Sequence, residues 1–255
     1  MIALIDENFE LHASKFPSKT DGMKVVSTDN LILVDSGLSC DTFNIIHIKN
    51  GAELRYSEIA EAIEYYRTKD FKFCIWVNSE NLQGNVKKYL SELSVSKQNE
   101  EVGMVMNLNQ YETIQTDRHV DIVMVNDANT LNDYANIIAS NWSPSDKNVN
   151  SYYEKTANCY LKASDQVKLL IYYEGSKPVA TVELFQSDSS TIGIYGLATL
   201  EDARGKGIGS ALMTMCLNQA KELGYKNVVL QASQDGIGIY KKLGFKSLTT
   251  YYEFA

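Results

Sequence analysis

Proline is scarce in this chain, with 3 residues in 255. That argues against a proline-rich linker or an extended disordered tract. Long apolar runs are missing as well: no stretch approaches the roughly 18 consecutive apolar residues of a membrane-crossing helix. The opening residues, Met1-Ile2-Ala3-Leu4-Ile5-Asp6, lack the basic region and long apolar core of a secretory signal. A cytoplasmic location without a membrane partner is therefore the expectation. The four cysteines, Cys40, Cys74, Cys159 and Cys216, form no Cys-x-x-Cys pair, so free thiols are expected. His12, His47 and His119 are scattered, and no zinc ligand set assembles locally, so no metal is expected. Positive charge is in deficit too. Lys and Arg number 24 against 32 Asp and Glu, a formal net charge of -8. An acidic chain is a poor general binder of nucleic acid, and its charge suits a basic ligand such as an amine.

What the chain does have is length and a glycine cluster. At 255 residues and 44% hydrophobic, it can fill one large domain or two small ones. The cluster is Arg204-Gly205-Lys206-Gly207-Ile208-Gly209-Ser210. It follows an apolar run at 191–200 and opens a helical pattern that continues to about residue 223. A strand, a glycine-rich turn and a helix in that order make a phosphate cradle. Glycines let the backbone approach closely, and the helix start offers unpaired N–H groups to an anion. A cofactor carrying a diphosphate follows from this. The dinucleotide fingerprint would need glycine at 210, where Ser stands. A P-loop would need Lys-Ser/Thr after its last glycine, and Gly209 is followed by Ser210-Ala211. The spacing that does fit is Arg204-x-x-Gly207-x-Gly209.

The second half reads as a strand at 119–125, helices at 131–142 and about 149–161, and strands at 167–173, 178–186 and 191–199. Turns at 174–177 and 187–190 separate those three strands. In the next helix Ile208, Leu212, Met215, Cys216 and Ala220 share one face, and Gly224 stands where a helix is expected to stop. A strand at 227–232, a short helix at 236–243 ended by Gly244, and a final strand or pair at 245–254 complete the half. The first half has strands at 31–34 and 43–48, a helix at 56–67, a strand at 71–77, a helix at 85–93 and a strand at 101–108. This order echoes the second half from 167 onward. The expected division is an α/β domain at 1–118 and a second domain at 119–255, with 109–118 as the crossover.

The Arg204-x-x-Gly207-x-Gly209 spacing resembles the acetyl-CoA signature of the GCN5-related N-acetyltransferases. The element order over 119–255 resembles that family's fold. The string Ile239-Tyr240-Lys241-Lys242-Leu243-Gly244-Phe245 looks like the usual ending of its fourth helix. The resemblance implies an α/β (α+β) fold: a mixed, mostly antiparallel sheet flanked by helices. The smaller first domain reads as a degenerate partial copy or as an unrelated α/β cap. No Arg-x-x-Gly-x-Gly precedes its helix at 56, so it is expected to bind no CoA.

The same resemblance implies transfer of an acetyl group from acetyl-CoA directly to a primary amine, on a small molecule or a protein. Leu197, Ala198 and Thr199 would offer backbone groups to the pantetheine arm, and Gly196 would permit a bulge beside them. Arg204, Gly205, Lys206, Gly207, Ile208, Gly209 and Ser210 would hold the diphosphate. Ser233 would hydrogen-bond the pantetheine. Tyr240 would act as general acid on the thiolate, its phenol having an ordinary pKa of about 10. The amide of Leu197 or Ala198 would meet the oxyanion. Glu183 is the first candidate for the base, beside Tyr195, Glu201 or a water path. The family often has Asn seven residues before the tyrosine and Ala four before it; here those are Ser233 and Gly236. The loop at 141–150, with Trp142 and Tyr152 or Tyr153, would shape the acceptor cleft. A non-catalytic CoA-binding regulatory module and a transferase for another acyl-CoA remain open, as do the acceptor and the oligomeric state.

Overall fold

The computed structural model describes residues 1–115, 121–162 and 166–255. They form two compact units, one from 1–104, 231–237 and 247–255, the other from 105–230 and 238–246. No helix among the described residues is long and apolar enough to cross a membrane.

The first unit opens with α1 (Ile2–Lys15), which the sequence reading did not anticipate. Ile5, Phe9 and Ala13 are buried at helical spacing, but Asn8 is buried among them and blurs the apolar stripe. Then come β1 (Lys24–Ser27), β2 (Leu31–Asp35), β3 (Ile45–Ile48), α2 (Tyr56–Arg67), β4 (Cys74–Asn78), α3 (Asn85–Glu92) and β5 (Lys97–Asn107). Strands β1, β2 and β3 are an antiparallel meander. Helix α2 is the crossover that brings β4 parallel to β3, with Ile45–Ile48 paired in full against 74–77. Ile59, Ile63 and Tyr66 of α2 are wholly buried against Ile46, Ile48, Ile75 and Val77. Truncating one such Ile to Ala removes about 2–5 kcal/mol of stability.

The other face of this sheet is covered by α1. Phe9 meets His47 edge-on at 5.1 Å and Trp76 at 5.0 Å. Asp6 accepts hydrogen bonds from the Tyr251 hydroxyl (2.6 Å) and from Asn78 Nδ2 (2.8 Å).

Tyr251 belongs to β11 (Lys246–Phe254). This strand was expected among the second half's own strands. It instead lies between β4 and β5, antiparallel to β4, with Trp76 opposite Glu253. Alternation of apolar residues fixes which face a strand buries, not which strand it pairs with.

Carboxyl groups gather where β11 meets β5. Asn99 Nδ2 donates to Glu253 Oε1 at 2.9 Å. Burial, and after it the Glu253 charge, push the Glu101 carboxyl up to about 8 from an ordinary 4.5. Between those values the folded chain holds a proton that the unfolded chain has released. Stability therefore falls as pH rises through this window, and the loss is complete above about 8. Urea midpoints at pH 6 and pH 9 should differ more for the natural protein than for Glu101→Gln. Equal differences would show that Glu101 is not the group responsible.

The second unit contains β6 (Ile122–Met124), α4 (Ala128–Ala139), α5 (Lys147–Lys162), β7 (Val167–Glu174), β8 (Lys177–Gln186), β9 (Thr191–Thr199), α6 (Ile208–Glu222), β10 (Asn227–Ala232) and α7 (Ile237–Leu243). Residues 119 and 120 of the expected first strand lie outside the described residues. Asp127 starts α4 by accepting from the Thr130 amide at 2.8 Å. Asp188 closes the β8–β9 turn by accepting from the Ser190 and Thr191 amides. Strands β6 to β9 pair antiparallel, and α6 carries the chain to β10, parallel to β9. Three antiparallel strands, a helix and a parallel strand thus occur in both units. β1 makes the echo closer than the sequence suggested.

Candidate active site

Two features of β9 open this part of the sheet. The first is a bulge. Thr181 pairs with Ala198 and Glu183 with Tyr195, so three steps on β9 oppose two on β8. Gly196 takes φ +56° at that point, and the Thr181 hydroxyl donates to its carbonyl at 2.9 Å. A Cβ at 196 would lie 2.4 Å from the Tyr134 hydroxyl, so only glycine fits. The second is a splay. Pairing of β9 with β10 begins at Thr191–Asn227 and ends at Gly193–Val229, although β9 continues to Thr199. Backbone groups beyond Gly193 on that edge are released from the ladder, and a ligand with amide groups can pair with them. Leu197, Ala198 and Thr199 lie on this stretch.

The glycine cluster follows. Gly205 and Gly207 have φ of +75° and +77°, the left-handed region that disfavours side chains. Gly207 precedes α6, whose start has no side-chain cap; the first bond back is from the Ala211 amide to the Gly207 carbonyl. The amides of Ile208, Gly209 and Ser210 therefore precede the first i to i−4 bond of the helix, which is the arrangement that receives an anion. Residues 204–207 and 210 are exposed, while the Ile208 side chain anchors the turn at 2% exposure. Arg204 Nε donates to the Thr199 carbonyl at 3.0 Å, which ties the turn to the strand end. Lys206 Nζ is 3.1 Å from Glu174 Oε1.

A cleft of about 600 Å³ adjoins this turn, lined by Ser140–Ser143 and by Thr199, Leu200, Glu201, Asp202 and Arg204. Trp142 is one of its walls and is 39% exposed. Tyr152 and Tyr153, the alternative lining residues, are buried in the core instead.

Tyr240 is buried on α7, its ring edge-on to Phe245 at 5.8 Å, and its carbonyl accepts from the Phe245 amide. The neighbouring Ile239 Cδ1 and Thr199 Oγ1 both lie 3.9 Å from where a Gly209 Cβ would stand. Strand end, helix start and α7 are thus brought together. Glu183 is 2% exposed and sits at the bulge, across from Tyr195. Burial, and after it the Glu183 charge, push up the phenols of Tyr152 and Tyr195. Ser233 belongs to the first unit, where its carbonyl accepts from the Gly236 and Ile237 amides. The sequence reading did not single out Tyr134, which lies within the helix it expected at 131–142. The one available signal was a glycine inside a strand pattern, which marks close approach without naming the neighbour.

The first unit's corresponding elements lack both openings. Its parallel pair is bonded along all of β3. The start of α2 is occupied by Glu58, which accepts from the Arg55 amide (3.0 Å) and from Asn30 Nδ2 (3.0 Å). Hydrogen bonds from Arg55 hold that carboxyl at about 2, so it is charged where an anion would have to sit.

Residues 131–245 match the model of the acetyltransferase (GNAT) family. N-acetyltransferase 8B from Homo sapiens is 30% identical over 99 residues, 38% of this chain and 42% of that relative, so the match spans under half of the relative's length. A GCN5-related N-acetyltransferase from Kribbella flavida superposes over 97% of this chain and 94% of its own, with a TM-score of 0.68 at 15% identity. A protein of unknown function from Staphylococcus epidermidis superposes over 92% and 94%, with a TM-score of 0.67 at 19% identity. Bulge, splayed strand pair, glycine-rich helix start and family match converge on one stretch of sequence, and residues 131–245 are similar to the acetyltransferase (GNAT) family.

Proposed function

We propose that the chain transfers an acetyl group from acetyl-CoA to a primary amine. The observation that carries this reading is the continuity of the released β9 edge with the glycine turn: an amide-rich arm and a diphosphate find their partners in succession along 194–210. Arg204, Lys206 and the amides at 208–210 would hold the diphosphate. The edge of Leu197–Thr199 would hold the pantetheine. The Leu197 amide, freed at the bulge, would face the oxyanion that develops when the amine attacks the thioester carbonyl. Tyr240 would give its proton to the departing thiolate as the carbon–sulfur bond breaks. An ammonium has no free lone pair, so a proton must leave it first. Glu183 is the buried carboxylate near the bulge that is suited to receive it, directly or through water. The acidic walls of the cleft, Glu201 and Asp202, favour a cationic acceptor.

The test is release of free CoA from acetyl-CoA across amine classes: polyamines, aminoglycosides, amino acids and peptide N-termini. Saturable, amine-dependent release is expected for at least one class. Tight CoA binding with no release above hydrolysis in any class would make the site a binding module and not a transferase.

A further inference from the structure

The first unit has a cleft of its own, about 540 Å³ in volume, and its lining lies wholly within that unit. Such a volume is in the range of small-molecule sites. The floor is core: Leu82, Leu90 and Val95 belong to the unit's buried cluster, and the half-buried rings of Tyr252 and Phe254 pack against it. Alternation along β11 places those rings. Tyr251 faces α1, where it bonds Asp6, so Tyr252 and Phe254 project from the opposite face. Backbone bonds in both directions between Ser96 and Ala255 fix the strand end beside the turn after α3. The charged residues of the lining are Lys87 and Lys97, with no carboxylate, in a chain of net charge -8. Lys97 is 2.5 Å from Glu100 and 5.0 Å from the centre of the Tyr252 ring. Lys87 has no ion-pair partner among the described residues.

The turn after α3 departs from the chain's own habit. The Val95 amide bonds back to the Leu90 carbonyl at 3.1 Å, and Ser94 takes φ +56° to allow it. Helices α6 and α7 end on the same bond with Gly224 and Gly244, and α2 ends on it with Asp70. Glycine adopts the left-handed region freely and aspartate tolerates it, whereas serine is not among the tolerant types. The turn alone would favour glycine at 94. The Ser94 hydroxyl borders the cleft, with that of Ser91 beside it, and neither has a partner among the described residues.

We propose that the first unit binds a small apolar monocarboxylate in this cleft, with its ring or alkyl body on Tyr252 and Phe254 and its carboxylate among Lys87, Lys97 and the Ser94 hydroxyl. The apolar floor selects a body that gains by leaving water. The uniformly positive rim selects an anionic head, and a hydroxyl at 94 supplies a hydrogen bond that glycine could not. A phosphate ester fits less well. No arginine lines the cleft to grip it in two-pronged fashion, and its second charge would have only the already engaged Lys97 to meet. The inference does not depend on the acetyl-CoA reading. It gives the first unit, whose α2 start is taken by Glu58, a ligand of its own.

The experiment titrates the full chain with 3-phenylpropionate and hexanoate, and follows the backbone amide resonances by NMR. The neutral 3-phenylpropionamide and inorganic phosphate are the controls. The amides of 82–97 and 252–255 should shift with either carboxylate, with a dissociation constant of about 1 mM or tighter for at least one of them. The amide and phosphate should bind at least about threefold more weakly, because each lacks one half of the match. Lys87→Ala should weaken the carboxylate about three- to tenfold with an unchanged fold. Ser94→Gly should separate structure from binding. Its thermal midpoint should rise by about 2–4 °C as the left-handed strain is relieved, while its affinity for the carboxylate falls. A serine that served only the turn would give the rise without the fall, and that result would overturn its place in the site. No shift in those amides up to about 10 mM of either carboxylate, or equal binding of 3-phenylpropionate and its amide, would overturn the proposal.

Discussion

Gly207→Asp should weaken CoA binding by about a hundredfold or more, measured by calorimetry, while the natural protein binds one CoA per chain. Three effects act together. The aspartate charge lies at the helix start that would receive the diphosphate, and like charges about 4 Å apart repel strongly in a partly desolvated site. Its carboxylate also competes for the amides of residues 209 and 210 as a helix cap. Finally, φ of +77° is costly for a side chain. Gly207→Asn separates these, since asparagine tolerates the left-handed region and has nearly the same shape without the charge. Binding in the Asn variant should fall less than in the Asp variant. Equal affinity of the Asp variant and the natural protein would remove residues 204–210 from the site. The stoichiometry tests the first unit independently. With Glu58 on the α2 start and β3 fully paired to β4, one CoA per chain is the expected value, and a reproducible value of two would refute this.

Tyr240→Phe should lower kcat by about 10²–10⁴-fold and leave CoA affinity within about twofold. The ring is buried against Phe245, and phenylalanine keeps that contact while removing only the proton donor. The thermal midpoint should therefore stay close to that of the natural protein. The measurement must be made where chemistry limits turnover, because slow product release would hide the effect. An unchanged kcat under those conditions would reduce Tyr240 to a packing residue, with the thiolate leaving unprotonated or taking its proton from water.

The parts of this molecule that sequence made legible are those set by neighbours along the chain. The glycines at 205 and 207 take the left-handed conformations that their residue type suggested, and α6 begins where the apolar spacing begins. Gly196, flagged as a site for a bulge, has one. What stayed hidden depends on distant partners or on weak local signals. Strand β1 is mostly exposed and carries little apolar pattern. Helix α1 buries Asn8 on its inner face, which breaks the hydrophobic stripe. The neighbour of β11 was not legible, because the same alternation serves equally beside β4 or β10. The close approach of Tyr134 to Gly196 was hidden for a related reason: helical spacing predicts burial of a residue but not which distant strand it meets.

The position of β11 has a consequence for synthesis. Trp76 is paired with Glu253, so a strand in the middle of the first unit's sheet is translated long after its two neighbours. At ordinary elongation rates the gap amounts to roughly 10–30 s. Until β11 is made, the edge of β4 that it covers in the finished sheet has no partner, an edge of the kind that recruits foreign strands. The charged residues at the start of β5, Lys97, Glu100 and Glu101, are of the kind that disfavour pairing with a foreign strand.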